Sequence, residues 1–170
     1  MNLRNTTIRV AFVLGCMAAS VAVLAQLPFS DPARRALVSA PAVQYLFPEQ
    51  ITVPAGKPTA VELHFRVAPG LHINSHTPRD KYLIPTTITV PESSGVSLAN
   101  AVYPEGEDFV LPADPGNKLS VYTGEFVVKA HLVARPGDHL VQARLRYQAC
   151  DNNECMPPKT ATVVIDVIGK

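Results

Sequence analysis

The chain contains no tryptophan and only three cysteines, and it lacks a glycine-rich phosphate loop. An antibody-type immunoglobulin core needs a tryptophan packed on a disulfide between two sheets, so that core is excluded. The absence of Gly-x-Ser-x-Gly and His-Glu-x-x-His motifs leaves hydrolase and nucleotide chemistry without support. With 15 Lys and Arg against 14 Asp and Glu, the formal net charge is +1, which predicts no nucleic-acid and no anionic-membrane partner.

The first 25 residues have the composition of an export signal. Arg4 and Arg9 precede an uncharged apolar run that ends in Val23-Leu24-Ala25, a suitable signal-peptidase site. The run is too short and too rich in small residues for a membrane span, which needs about 20 strongly apolar residues. No later stretch is as apolar. We therefore predict a signal peptide at 1–25 and an exported mature protein without a membrane span.

A competing interpretation of the same segment uses Cys16. Val13-Leu14-Gly15-Cys16 is similar to the box that precedes the lipidated cysteine of bacterial lipoproteins. This alternative predicts an anchored lipoprotein instead of a cleaved and released protein. In both cases the bulk of the chain lies outside the cytoplasm.

The rest of the chain alternates short strands with turn signals. The segment 60–67 alternates apolar and polar side chains with a period of two, which is typical of a strand buried on one face. The same pattern occurs at 84–90, 96–102, 125–133, 139–147 and 160–168. Turn sequences separate these segments, among them Asp114-Pro115-Gly116-Asn117.

Sixteen prolines and the lack of a long helical periodicity argue against helices after the signal. The strand number and spacing predict an all-β fold, an immunoglobulin-like antiparallel β-sandwich. We expect this domain at 45–170, preceded by a flexible, proline-containing leader at 26–44.

Cys150 and Cys155 remain after removal of the signal, and four polar residues separate them. Asp and Asn tolerate the backbone conformations of a tight turn, so we predict a hairpin that closes at the two cysteines. Facing residues on antiparallel strands have α-carbons about 4.5–5.5 Å apart, within the range that a disulfide needs. In an oxidising compartment a disulfide between them is the default state.

The residues themselves leave three uses of this pair open. A disulfide across a six-residue loop contributes only about 2 kcal/mol, and its polar setting favours thiol–disulfide exchange. The second use is a hairpin staple in a non-enzymatic protein-binding module. The third is a copper or zinc site, although the C-x4-C spacing is wider than that of a zinc knuckle and no second pair exists. Further ligands for such a site would be His64, His72, His76 and Met156.

The cysteine segment resembles a known signature. Tyr147-Gln148-Ala149-Cys150, a polar loop and Cys155-Met156-Pro157-Pro158-Lys159-Thr160 are similar to the motif of the N-terminal periplasmic domain of the thiol:disulfide interchange protein DsbD. Weaker resemblances lie upstream in the same order, at 69–74, 107–109 and 121–125. Together they cover about residues 45–168.

The resemblance implies an immunoglobulin-like sandwich that carries a redox-active disulfide, with no other cofactor and no metal. Cys155 would form mixed disulfides with partner proteins, and Cys150 would resolve them. Phe109 would shield the pair until a partner displaces its loop. Asp108 and Glu107 would tune the acidity of the cysteines or simply solvate the loop. Two further neighbours of the pair are His72 and Tyr147.

The resemblance also implies the partners. Electrons would come from a thioredoxin-like or membrane-embedded thiol reductase and pass to oxidised periplasmic disulfide proteins. Because the sequence stops at Lys170, we expect the reductant to be a separate protein.

Overall fold

The computed structural model describes residues 41–46 and 50–170. The signal peptide predicted at 1–25, the alternative lipidation site Cys16 and most of the leader predicted at 26–44 lie outside the described residues. A short 3-10 helix, Glu92–Ser94, lies between the fifth and sixth strands. The described strands are β1 Val43–Leu46, β2 Gln50–Val53, β3 Thr59–Val67, β4 His72–Asn74, β5 Thr87–Thr89, β6 Val96–Val102, β7 Glu107–Leu111, β8 Asp114–Tyr122, β9 Glu125–Ala134, β10 Gly137–Tyr147, β11 Ala149–Cys150 and β12 Lys159–Gly169.

The strands form three four-stranded sheets. Sheet A has the order β1-β3-β9-β6, sheet B the order β2-β12-β10-β5, and sheet C the order β11-β4-β8-β7. Neighbouring strands are antiparallel, except that β2 pairs with β12 in parallel. The predicted immunoglobulin-like β-sandwich is thereby confirmed. Among the described residues, no helix is long and apolar enough to cross a bilayer.

Sheets A and B contribute alternate side chains to one hydrophobic core. In β3 the side chains of Leu63, Phe65 and Val67 are buried while the residues between them are more exposed. The same alternation in β12 buries every second residue of 163–167. Because side chains of a strand point alternately to opposite faces, the period of two in the sequence becomes one dry and one wet face.

Stacked aromatic rings occupy part of this core in a chain that has no tryptophan. Phe126 of β9 lies between Phe65 of sheet A, at a centroid distance of 5.2 Å, and Tyr122 of sheet C, at 4.8 Å. Tyr122 is 3% exposed and belongs to the same buried cluster. The ring stack therefore fixes sheet C, which carries the cysteine hairpin, to the core of the sandwich.

Several strand bounds match the sequence pattern closely. The predicted segment 96–102 is β6, and 60–67, 125–133, 139–147 and 160–168 lie within β3, β9, β10 and β12. Strand β1 begins at Val43, inside the segment assigned to the leader, and Val43 is only 2% exposed. The segment 84–90 forms a shorter strand than predicted, Thr87–Thr89. Residues Ile84 and Thr86 instead hydrogen-bond with Asn74 through Asn74 Nδ2 and Thr86 Oγ1.

The turn predicted at 114–117 is wrong. The hairpin between β7 and β8 turns at Pro112 and Ala113, and the residues 114–117 belong to β8. Leu111 pairs with Asp114, whereas the preceding Val110 pairs with Lys118. Residues 115–117 therefore bulge out of the ladder, because a proline cannot donate a ladder hydrogen bond.

Candidate functional site

Cys150 and Cys155 form a disulfide across a tight turn at one edge of sheet C. The sulfur atoms are 2.04 Å apart, the α-carbons are 4.0 Å apart, and the two residues pair as an antiparallel bridge. The sequence predicted a facing pair of this kind, and the α-carbon distance is slightly shorter than the expected range.

Local hydrogen bonds hold this turn in addition to the disulfide. Asp151 Oδ1 accepts from the backbone N–H groups of Asn153 at 2.7 Å and Glu154 at 2.8 Å. The N–H of Met156 donates to the carbonyl of Ala149 at 2.8 Å. Since these bonds do not involve sulfur, the turn has support that is independent of the disulfide.

The two cysteines differ in exposure. Cys150 is 2% exposed, whereas Cys155 is exposed to solvent. A thiolate must reach a disulfide sulfur to attack it, so access favours attack at Cys155.

His72 lies beside Cys150. The pairing of β4 with β11 sets His72 directly opposite Cys150, and facing residues of antiparallel strands project to the same face of the sheet. His72 is 2% exposed, and its Nε2 atom is buried without a hydrogen-bond partner. Burial lowers the pKa of His72 below its ordinary 6.5, an effect that the negative charge of Asp151 opposes. The imidazole is therefore mainly neutral at pH 7.

Phe109 of β7 covers the imidazole of His72. The two ring centroids are 4.2 Å apart with an interplanar angle of 32°, and Phe109 is half-buried. Phe109, His72 and Asn152 of the cysteine turn also line one cavity of about 610 Å³. The structure thus brings Phe109 to the residue that faces Cys150, while its role as a shield stays a prediction.

The acidic neighbours of Phe109 are engaged in other contacts. Asp108 forms ion pairs with Arg79, from the loop after β4, and with Lys118 Nζ of β8 at 3.1 Å. The pKa of Asp108 is lowered, chiefly by the hydrogen bond from Lys118. Glu107 Oε2 accepts a hydrogen bond from Thr123 Oγ1 at 2.9 Å. These contacts link β7 to the loop after β4 through Arg79, to β8 through Lys118 and to the residue after β8 through Thr123.

The segment before β7 is fixed tightly to β8. The hydroxyl of Tyr122 donates to the carbonyl of Pro104 at 3.0 Å and accepts from the N–H of His76 at 3.1 Å. A Cβ at Gly106 would clash with Ser120 and lie 2.7 Å from Cβ of Ser75, so only glycine fits there. The base of the β7–β8 hairpin is therefore packed closely against Ser75 and His76 of the loop after β4.

Tyr147 is a core residue. It is 3% exposed, belongs to the main hydrophobic cluster, and hydrogen-bonds with the backbone of Val43 in β1. Burial raises the pKa of its phenol. The structure therefore places Tyr147 in the packing beneath the cysteine hairpin, where it joins β10 to β1.

The histidines that a metal site would need have other neighbours. His64 Nε2 lies 3.7 Å from Glu62, and His76 stacks on Tyr103 at 3.8 Å while its Nδ1 contacts the carbonyl of Thr86. In the part of the chain that the structure describes, no three His, Cys, Asp or Glu side chains are grouped as a metal site requires.

Sequence reasoning missed Arg79, Lys118 and Tyr122 as residues that position the site. Arg79 and Lys118 are 29 and 10 residues from Asp108 in the sequence. The acidic pair Glu107 and Asp108 is the one local signal, since an exposed carboxylate can form an ion pair. Nothing in the sequence specifies which cations are its partners.

Comparison with known proteins gives a family match over most of the described chain. The family model described as "Thiol:disulfide interchange protein DsbD, N-terminal" matches residues 42–166. No curated protein sequence matches the chain significantly.

Eight solved chains are similar to the structure. One is the reduced N-terminal domain of DsbD from Neisseria meningitidis, at 20% identity and a TM-score of 0.45, with 68% of this chain and 82% of that chain covered. Another is the complex between the DsbD N-terminal and PilB N-terminal domains of Neisseria meningitidis, at 18% identity and a TM-score of 0.43, with 65% and 77% covered.

Proposed function

This chain belongs to the family of DsbD N-terminal domains, and from that premise we propose that it is a thiol–disulfide interchange module that relays electrons through Cys150 and Cys155. The donor is a thioredoxin-like or membrane-embedded thiol reductase. The acceptors are oxidised periplasmic disulfide proteins. The disulfide itself is the redox group of this relay.

The unequal exposure of the two cysteines is the observation that carries the proposal. A donor thiolate attacks Sγ of the exposed Cys155, the Cys150–Cys155 bond breaks, and Cys150 leaves as a thiolate that takes up a proton. The second donor thiol then attacks the mixed disulfide and releases Cys155. The donor leaves oxidised, and this domain holds two thiols.

Transfer to an acceptor runs through the same atoms. The Cys155 thiolate attacks the acceptor disulfide and forms a mixed disulfide. Cys150 then attacks Cys155 Sγ, which reforms the original bond and releases the reduced acceptor. The local hydrogen bonds of Asp151 support this step, since they keep the turn closed around both sulfurs.

Phe109 acts as a cap in this proposal. Its ring stacks on His72, the cross-strand partner of Cys150, so movement of β7 uncovers that side of the site. A docked partner that displaces the hairpin makes reaction conditional on recognition.

The relay operates after export, with 1–25 as its signal peptide. The family match supports a periplasmic location. The N-terminal residue of the protein isolated from cells tests this, because cleavage at the predicted site gives Gln26 whereas lipidation gives a blocked Cys16.

The relay predicts opposite behaviour of two variants. Oxidised wild-type protein incubated with a thioredoxin-like dithiol should gain two free thiols while it stays folded. Cys150→Ala should accumulate a mixed disulfide at Cys155, because the attacking thiol is present and the resolving thiol is absent. Cys155→Ala should trap little, since Cys150 is buried. Non-reducing gels and mass spectrometry measure the trapped species.

A disulfide that no such dithiol reduces in the folded protein contradicts the proposal. So does equal trapping by both variants. Retention of a partner by Cys155→Ala, with no exchange in the wild type, supports the alternative of a protein-binding sandwich with a structural hairpin disulfide.

A further inference from the structure

His72 has a buried ring nitrogen with no hydrogen-bond partner, and it faces a cysteine. Buried polar atoms without a partner are rare and destabilising, so each one needs an explanation. We propose that His72 is the proton acceptor and donor for Cys150 during thiol–disulfide exchange. This inference rests on the proposed relay function and assigns to one residue a step that the relay requires.

The arrangement of the strands places the imidazole where this step occurs. His72 and Cys150 are paired across β4 and β11 and project to the same face of sheet C. The ring of Phe109 lies against the imidazole at a centroid distance of 4.2 Å. Nε2 of His72, which has no hydrogen-bond partner, is thus buried on the same face of sheet C as the side chain of Cys150.

Burial of Cys150 creates the need for a base. Cys150 is 2% exposed, so water has poor access to its sulfur, and burial disfavours the thiolate that must attack. A neutral imidazole beside the thiol supplies an acceptor for the proton in place of water. The buried and mainly neutral state of His72 suits that role.

The proton moves in a balanced cycle. In resolution, Nε2 of His72 accepts the proton of the Cys150 thiol, the Cys150 sulfur forms a bond with Cys155 Sγ, and the partner sulfur leaves as a thiolate that takes the proton from the imidazolium. In the opposite direction, Cys150 leaves as a thiolate when the donor attacks Cys155, and the imidazole, neutral in the oxidised protein, passes to it the proton that the donor thiol gave up. No further oxidant or reductant takes part.

The charges around His72 are compatible with a transient imidazolium. Asp151 next to Cys150 raises the pKa of His72 and opposes the effect of burial. Arg66 and Glu125, which line the cavity beside His72 and Phe109, form an ion pair with each other. The negative charge of Asp151 therefore favours the protonated ring.

The expected size of the effect follows from thiol ionisation. A thiol with a pKa of about 8.5 is about 3% ionised at pH 7, so removal of an effective base slows attack by up to about 30-fold. Burial raises the pKa of this thiol above that ordinary value, and once the pH exceeds it the thiol ionises without help and the difference disappears.

The test uses reduced protein and 5,5′-dithiobis(2-nitrobenzoic acid). The first thionitrobenzoate is released when Cys155 forms the mixed disulfide, and the second when Cys150 resolves it. His72→Gln should leave the first phase unchanged and slow the second phase by up to about 30-fold at pH 7. The second phase of the variant should accelerate with pH and approach the wild-type rate once the pH exceeds the pKa of the Cys150 thiol.

His76→Gln is the matched control. His76 also stacks on an aromatic ring, that of Tyr103 at 3.8 Å, but its Nδ1 contacts the carbonyl of Thr86. This variant should keep the wild-type second phase. Free imidazole added to His72→Gln should restore part of the lost rate, which a purely structural defect would not allow.

An unchanged second phase, or one slowed equally at all pH values, overturns the proposal. If His72→Gln does not fold, the wild-type pH profile decides: a second phase that rises about tenfold per pH unit below the thiol pKa shows that no internal base acts. The reagent is a small disulfide, so this result is independent of whether a protein donor reduces the domain. Failure of the relay proposal and failure of this inference are therefore distinguishable.

Discussion

At the scale of single residues, the sequence identifies the sulfur chemistry but not its surroundings. The C-x4-C spacing and the turn-forming Asp151 predict the hairpin disulfide because all the interactions are local. The contact between His72 and Phe109 depends on the registers of β4, β7 and β8, which no local pattern specifies. Tyr147 lies within the cysteine motif, yet alternation along β10 directs its side chain into the core.

The lowered pKa of His72 also predicts how the free energy of unfolding responds to mild acid. Burial lowers the folded-state pKa of His72 below 6.5, so just below pH 6.5 the unfolded chain binds more protons than the folded chain. The contribution of His72 to the free energy of unfolding is therefore complete above pH 6.5 and is lost as the pH falls through the folded-state pKa. His72→Gln should reduce the dependence of that free energy on pH, measured by urea unfolding between about pH 5 and pH 8.

Asp108 does not interfere with this measurement. Its pKa is lowered from 3.8, so its contribution is lost only in stronger acid. Equal slopes for the wild type and His72→Gln in the window below pH 6.5 would show that the folded protein accommodates the charged imidazole without cost.

At the scale of elements, the β7–β8 hairpin links Phe109, the proposed cap, to the rest of the fold. Its base is fixed through Pro104 and Gly106, and farther along β7 the side chain of Asp108 pairs with Arg79 and Lys118. The segment 114–117, with its proline and glycine, predicted a turn, but in the structure it belongs to β8 and residues 115–117 form a bulge. Composition predicts that a turn occurs in this region, but the position of the turn depends on the pairing of β7 with β8, which no local pattern specifies.

We expect Asp108→Asn to loosen this hairpin. The variant removes both ion pairs, while the amide keeps the size of the side chain. Reduction of the Cys150–Cys155 disulfide by a small dithiol should become about two- to fivefold faster, the scale of effect expected of exposed ion pairs, and the difference should shrink in high salt. Stopped-flow or quenched thiol labelling measures the rate.

Glu62→Gln provides the control for that variant. Glu62 is also an exposed carboxylate beside two basic side chains, Lys129 at 3.3 Å and His64 at 3.7 Å, but it lies on β3 in sheet A. It should leave the reduction rate unchanged. The same acceleration in both variants would mean that the ion pairs of Asp108 have no specific connection to the cap.

At the scale of the whole molecule, the disulfide lies at the margin of the hydrophobic core. Most of the deepest side chains, including Leu63, Phe65, Leu145 and Ile165, belong to sheets A and B, and sheet C adds Ile73 and Val121. The disulfide closes a turn at the edge of sheet C. A relay must remain folded in both redox states, and a core that lies mainly in sheets A and B permits that.

Loss of the disulfide should therefore cost little stability. Closing a loop of six residues restricts the unfolded chain only slightly, which corresponds to about 2 kcal/mol in the chain-entropy treatment. Truncation of a fully buried core residue such as Leu63 to alanine should cost more, about 2–5 kcal/mol. Guanidinium unfolding of the wild type, of a Cys150→Ala, Cys155→Ala double variant and of Leu63→Ala compares the three free energies. A double variant that loses more stability than Leu63→Ala, or that does not fold, would make the disulfide a structural bond and would leave this sandwich unable to complete a redox cycle.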